Sequence, residues 1–330
     1  LKGETGLLTF HPPRIAKEDM LAFSSAFDPQ PAHLDEVAAR ETPLRGLAAS
    51  GWHTCAAVAR ALEGAMAGVP GYLGVAGIDE LRWLRPVRAD DQLLGAVTLG
   101  RSAPCTCGST FVRRPARVEV CNQLGKSVLC WSCHVLFGSP RPWMPVAQCA
   151  LRSVRRSRVV GRPGEHLIKF FEDVQCGDEI SLGSYTFDAG SVGIFEKVIG
   201  AGSNAASRGA PAHVKGWNVV AGWMNLIVAY YQRRAAELAA AGLPVPRLGP
   251  AVGLRWLRWL APVSLGHRVR FRAWVEHKVG AAISSDWGLL VAGAEGRNDA
   301  GELVMSFYPQ FLLERRPATQ SARAGRLSRS

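Results

Sequence analysis

Asp28 and His33 lie five residues apart in the run Phe27-Asp28-Pro29-Gln30-Pro31-Ala32-His33. A carboxylate and an imidazole at that separation form an acid/base pair able to take up and return a proton of water. Pro29 and Pro31 stiffen the intervening chain and so keep the pair aimed. Gly51 follows 23 residues after Asp28 (51 − 28), in Ala49-Ser50-Gly51-Trp52-His53-Thr54, which reads as the start of a buried helix. The first amides of a helix are unpaired and sit at the positive end of its dipole, which suits a carbonyl oxygen gaining negative charge.

Two copies of one pattern supply the elements that must position these groups. Leu81-Arg82-Trp83-Leu84-Arg85-Pro86-Val87 returns as Leu257-Arg258-Trp259-Leu260-Ala261-Pro262-Val263, an offset of 176 (257 − 81). Asn122-Gln123-Leu124-Gly125-Lys126 returns at the same offset as Asn298-Asp299-Ala300-Gly301-Glu302, and Gly51-Trp52 returns as Gly216-Trp217 at an offset of 165. A repeat of this length is a domain, not a solenoid unit. Each copy reads as a strand with a polar loop (9–33; 179–204), then a long apolar helix closed by Gly68 or Gly242, then three or four alternating strands. One long helix wrapped by an antiparallel sheet is the hotdog arrangement. The expected fold is therefore α+β, a double hotdog with the two sheets joined edge to edge, which protects strands otherwise open to aggregation. The expected organisation is a first repeat over 1–142, a basic linker over 143–165, a second repeat over 166–317 and a disordered basic tail over 318–330. Trp83 and Trp259 recur in register and read as packing residues, not a binding platform.

The net charge of +12 makes an acidic partner plausible, but much of it falls in Arg152–Arg162 and in the tail after Arg315. Those stretches carry almost no aromatics, which argues against a nucleic-acid face and leaves a phosphate-bearing substrate such as a coenzyme A thioester. No apolar run reaches spanning length and the first residues lack the apolar core of a signal peptide, so a cytoplasmic protein with no membrane span is expected. The first residue is not Met, and a longer reading frame is expected upstream. Cys130-Trp131-Ser132-Cys133-His134 matches a haem-attachment pattern, and Cys105 and Cys107 could complete a zinc set on paper. The flanking alternation makes Ser127–Phe137 a returning hairpin strand, so Cys130 and Cys133 point to opposite faces, and no metal is expected. His53 and His134 read as structural.

Together these segments resemble the MaoC-like dehydratase and (R)-specific enoyl-CoA hydratase family. The resemblance rests on Asp28-x-x-x-x-His33, Leu34-Asp35-Glu36, the run Gly46–Thr54 and the run Gly77–Val87. It covers the first repeat almost completely and the second more weakly. It implies a hotdog fold, acyl-CoA thioester substrates, no cofactor beyond the coenzyme A of the substrate, and syn addition or removal of water across an α,β double bond. Carried over by position, it implies that Asp28 and His33 are the catalytic pair and that the Gly51 amide holds the thioester carbonyl. Ser50 and Thr54 flank that amide as candidate substrate-binding residues.

The second repeat departs from the pattern. With Phe195 aligned on Phe23, Asp28 becomes Gly200 and His33 becomes Ala205, while Asn204 and His213 lie at the wrong spacing. One catalytic and one degenerate repeat is the expected division. In the eukaryotic double-hotdog hydratases the motif belongs to the C-terminal half, and this chain has it in the N-terminal half. The family often has Asn where this chain has Gln30. A non-catalytic hotdog that binds thioesters or a partner is the alternative. A thioesterase of this fold needs a carboxylate on the central helix, and 52–61 contains none. A homodimer, or pairing with another hotdog chain, stays open.

Overall fold

The computed structural model describes residues 6–104, 111–138, 162–163, 169–200, 213–279 and 286–317. In the first half, β1 (Gly6–Phe10) leads into α1 (Lys17–Phe27), α2 (Pro31–Leu34), α3 (Glu36–Arg40) and the central helix α4 (Gly51–Met66). Strands β2 (Tyr72–Trp83), β3 (Leu94–Leu99), β4 (Ala103–Pro104), β5 (Val112–Cys121) and β6 (Ser127–Phe137) follow. The second half runs β7 (Arg162–Pro163), β8 (Asp178–Thr186), α5 (Ala189–Val198), α6 (Gly216–Ala240), β9 (Leu248–Trp259), β10 (Arg268–Val279), β11 (Trp287–Asn298) and β12 (Leu303–Glu314).

All the strands belong to one sheet, ordered β1-β3-β5-β6-β2-β9-β12-β11-β10-β8-β7, with β4 beside β5. The order mirrors about the β2·β9 pair: β6 matches β12, β5 matches β11, β3 matches β10 and β1 matches β8. This is the double hotdog. Both hairpins expected from the repeat are present: Gly125 and Gly301, at φ +68° and +80°, donate to Asn122 and Asn298 respectively. Every residue of α4 from Trp52 to Ala59 is buried, so this stretch of the helix is enclosed on all sides.

Glycine makes the central seam possible. A Cβ on Gly77 would meet the Leu257 carbonyl oxygen at 2.6 Å, and one on its counterpart Gly253 (77 + 176) would meet the Leu81 carbonyl oxygen at 2.3 Å. Across the same seam the buried Arg258 donates to the Ile78 carbonyl and to the Asp79 carboxylate, whose other oxygen lies 3.0 Å from His134 Nδ1. Burial pushes the Asp79 carboxyl up, but the His134 bond and the Arg258 charge outweigh it and hold it below its ordinary value.

Aromatic rings interlock the halves. Trp52 of α4 packs edge-on against Phe307 of β12, while its counterpart Trp217 of α6 packs against Trp131 of β6. Each helix start thus reaches the other repeat's sheet, and one core cluster spans both halves.

One expectation is corrected. The segment after each first strand is helical, not a polar loop: Met20, Phe23 and Phe27 form one buried face of α1, and Phe195 and Val198 one of α5. Gly68 and Gly242 each stand one residue past the cap of their central helix, Ala67 and Ala241, but only Gly242 takes a left-handed φ, +69°. Residues 143–161, 164–165 and 318–330 of the expected linker and tail lie outside the described residues, as do Cys105, Cys107, Asn204 and Ala205.

Candidate active site

Asp28 caps the C-terminus of α1, where its amide donates to the Ser24 carbonyl. Pro31 occupies the first turn of α2, where a missing N–H costs nothing, and α2 carries His33 back toward Asp28. Both side chains are buried, at 2% and 8% exposure. Gln30 donates from Nε2 to Asp28 Oδ1 at 2.7 Å, and the Ser50 hydroxyl donates to Asp28 Oδ2 at 2.6 Å. His33 Nδ1 lies 2.8 Å from the Ala48 carbonyl oxygen, and its Nε2 lies 3.5 Å from Asp28 Oδ2.

The Ala48 carbonyl accepts only, so it fixes a proton on Nδ1. A neutral His33 then turns the Nε2 lone pair toward a carboxylate oxygen. Two acceptors facing each other are relieved by a second proton on the ring or by a water that donates a hydrogen to each.

The chain leading to α4 is held from several sides. Arg88 donates to the carbonyls of Leu44, Gly46 and Leu47, Ala49 N donates to Val87, and Ala48 N donates to Ala32. Ser50 is the N-cap of α4: its Oγ accepts from Trp52 N at 3.2 Å while its hydrogen goes to Asp28. Among the described residues no acceptor takes the Gly51 amide hydrogen. Trp83 lies against Gly51 and donates from Nε1 to its carbonyl at 3.1 Å; a Cβ there would stand 2.7 Å from that nitrogen. The sequence-expected Asp28, His33, Ser50 and Gly51 are thus brought together. Thr54 lies one turn further on, with its hydroxyl donating to the Ser50 carbonyl at 3.3 Å.

Residues 4–110 match the family model described as the MaoC like domain, a span that includes all five of these residues. The first repeat carries a MaoC-like domain. No curated protein matches the chain. A putative MaoC domain protein dehydratase from Chloroflexus aurantiacus superposes with a TM-score of 0.67 at 14% identity, covering 96% of each chain. A conserved hypothetical protein from Mycobacterium tuberculosis, described as having a double hotdog fold, gives 0.62 at 14% identity over 95% of this chain and 96% of that one. A MaoC-like dehydratase from Phytophthora capsici gives 0.52 at 11% identity over 93% and 95%. At these identities the likeness is one of fold.

Several groups around the MaoC-like domain's pair escaped the sequence. In the sequence Gln30 stands out only as a departure from the family, yet its amide, like the Ser50 hydroxyl, donates to the Asp28 carboxylate. Arg88 lies far from the pair in sequence, and nothing local marks it as the tie for 44–47. Asn225 and Gln232 of α6 reach the carbonyls of Ala26 and Pro29 from the other repeat. His53 is fully buried, stacked on Phe23 at 4.6 Å, with Nε2 3.0 Å from the Val198 carbonyl oxygen. Burial holds its pKa below the ordinary value, against the Val198 bond, so the ring stays neutral.

The cysteines stand where strand alternation puts them. Cys133 is buried, and burial pushes its thiol up to about 12, while Cys130 on the other face is half-exposed. No group of three or more metal-ligating side chains forms among the described residues. Nor is any helix among them long and apolar enough to cross a membrane.

Proposed function

We propose that the MaoC-like repeat adds water to the α,β double bond of an enoyl-CoA thioester and, in reverse, removes it. The observation that carries this reading is the 3.5 Å approach of His33 Nε2 to Asp28 Oδ2, each group held from behind by its own hydrogen bonds. The Gly51 amide takes the thioester oxygen at the N-terminus of a 16-residue helix, where the dipole favours the negative charge that grows there. The water oxygen bonds to Cβ and one of its hydrogens passes to the Asp28/His33 pair. The pair passes a proton to Cα, so H and OH end on adjacent carbons and the pair returns to its starting state. General acid–base catalysis of this kind contributes roughly 10²–10⁴-fold.

Ser50 and Thr54 take a different part from the one their positions suggest. Both hydroxyl hydrogens are spent within the protein, so we assign Ser50 to orienting Asp28 and Thr54 to the first turn of α4. The helix pair that a single hotdog obtains from a second chain is supplied here within one chain. The net charge of +12 suits the phosphates of a coenzyme A substrate.

The test is loss of the enoyl-thioester absorbance band with purified protein and crotonyl-CoA, beside Asp28→Asn and His33→Ala. Loss in the wild type and survival in both variants is the expected result. No loss with crotonyl-CoA, nor with longer or branched enoyl-CoAs, overturns hydration and leaves a hotdog that binds thioesters without turnover.

A further inference from the structure

The degenerate repeat touches the loop that carries the catalytic pair. Asn225 donates from Nδ2 to the Ala26 carbonyl at 2.9 Å, and Gln232 donates from Nε2 to the Pro29 carbonyl at 2.8 Å. These carbonyls stand two residues before Asp28 and one after it. The two donors lie seven residues apart on α6, about two helical turns, and therefore share a face. The other ties of the segment run through Asp28, Gln30, Ala32 and His33. Pro29 and Pro31 have no amide hydrogen, and α1 ends with no basic residue in its last turn to meet its orphaned carbonyls.

The support is reciprocal. The central helix of the first repeat meets the end of α5 through His53 with the Val198 carbonyl and Arg60 with the Ile199 carbonyl. Arg60 and Asn225 are counterparts at the helix offset (225 − 60 = 165), and Val198 and Ala26 are counterparts at the offset that aligns Phe195 with Phe23 (198 − 26 = 172). Each central helix thus closes the end of the other repeat's loop helix. In one direction that helix end carries the acid/base pair; in the other the counterpart of Asp28 is Gly200.

We infer that Asn225 and Gln232 are positioning residues that fix the Asp28 loop against His33 and Gly51, and that the second repeat acts in the reaction as a brace. This rests on the hydration reading above. Both donors act on the backbone that sets the Asp28 carboxylate, while the Gly51 amide belongs to α4, which needs neither of them. Their loss therefore falls on turnover and spares substrate binding.

The experiment uses the full chain and the crotonyl-CoA assay, with Asn225→Ala, Gln232→Ala, the double variant, and Gln232→Lys, which keeps a donor of similar reach. Gln232 is exposed, so its variants test the idea even if a change at Asn225 impairs folding. Hydrogen exchange of the peptide 24–34 is measured alongside, with peptides from β5 and β6 as controls. In the double variant kcat is expected to fall about tenfold with KM within about twofold, because misplacement of a catalytic group by a fraction of an ångström is felt in rate. Gln232→Lys is expected to recover most of the loss seen in Gln232→Ala, and only peptide 24–34 is expected to exchange faster. A double variant with wild-type kcat, or a Gln232→Lys as slow as Gln232→Ala, overturns the brace. If the wild type turns over no enoyl thioester, hydration itself fails and exchange decides: unchanged protection of 24–34 in the double variant overturns the brace, and selective loss of protection supports it.

Discussion

Ser50→Ala tests whether one hydroxyl serves both the helix and the acid/base pair. The side chain is fully buried and makes two hydrogen bonds, accepting from Trp52 N and donating to Asp28 Oδ2. Loss of an N-cap costs about 1 kcal/mol. Loss of a hydrogen bond to an ionised group costs about 1.5–3 kcal/mol, and water does not readily replace it because Asp28 is 2% exposed. The sum is about 2.5–4 kcal/mol, at the low end if the Gln30 amide keeps the carboxylate in place. Urea unfolding followed by tryptophan fluorescence reads this directly. Hydration of crotonyl-CoA is expected to slow by about 10²-fold, since the carboxylate loses the group that aims Oδ2. Thr54→Val is the control: it deletes a 3.3 Å bond to a backbone carbonyl at nearly constant shape, and is expected to cost under about 1.5 kcal/mol and to leave turnover within about threefold. A Ser50→Ala protein as stable and as active as this control would refute the dual role.

Other substitutions probe the seam and the buried histidine. Gly77→Ala and Gly253→Ala each drive a methyl into a facing backbone carbonyl, so β2 and β9 must separate. Each is expected to cost about 3 kcal/mol or more in urea unfolding, from overpacking and, at Gly77 with φ +124°, from left-handed backbone strain. Stability within about 1 kcal/mol of wild type would mean that the seam yields freely. His53 titrates in the opposite sense to a salt-bridged histidine. Its folded pKa is depressed by burial, so below about pH 6.5 the unfolded chain binds a proton that the folded one refuses. Between pH 7.5 and 5.5 the wild type should therefore lose more stability than His53→Gln, read as the difference in urea midpoints at the two pH values. Equal losses would show that His53 takes up its proton in the folded state.

The duplication was legible because its marks are local. A hairpin needs a glycine at positive φ after an asparagine, and the two helix starts need a glycine where a tryptophan ring lies on the backbone. Both leave the same residues at the same offsets. That second requirement also means that Gly51 has a packing reason to be glycine, one it shares with Gly216 under Trp259, apart from any role for its amide. Helices α1 and α5 were misread because each is short, and the apolar face of α1 is made of only three large residues, Met20, Phe23 and Phe27. The side chains behind the pair were invisible for a different reason. Arg88, Asn225 and Gln232 bond to backbone carbonyls far away in sequence, and a backbone acceptor imposes no residue type on its own position. No pattern in the chain records such a bond.

The charges along the central seam also choose a partner. Glu80 pairs in register with Arg255, and their side chains meet, while Asp79 meets Arg258. If a first repeat joined another first repeat in the same register, Arg255 would be replaced by its counterpart 176 positions earlier, Asp79 (255 − 176). Glu80 would then face Asp79 of the other copy, and like charges directly across a strand pair repel. The counterpart of Arg258 is Arg82 (258 − 176), which keeps a guanidinium at that place, so the repulsion falls on the Glu80–Asp79 position. The duplicated halves have thus diverged in electrostatic sign at one position of the edge where they meet, Asp79 against Arg255, and that position matches each repeat to its sibling in the same chain and disfavours its twin in a neighbouring one.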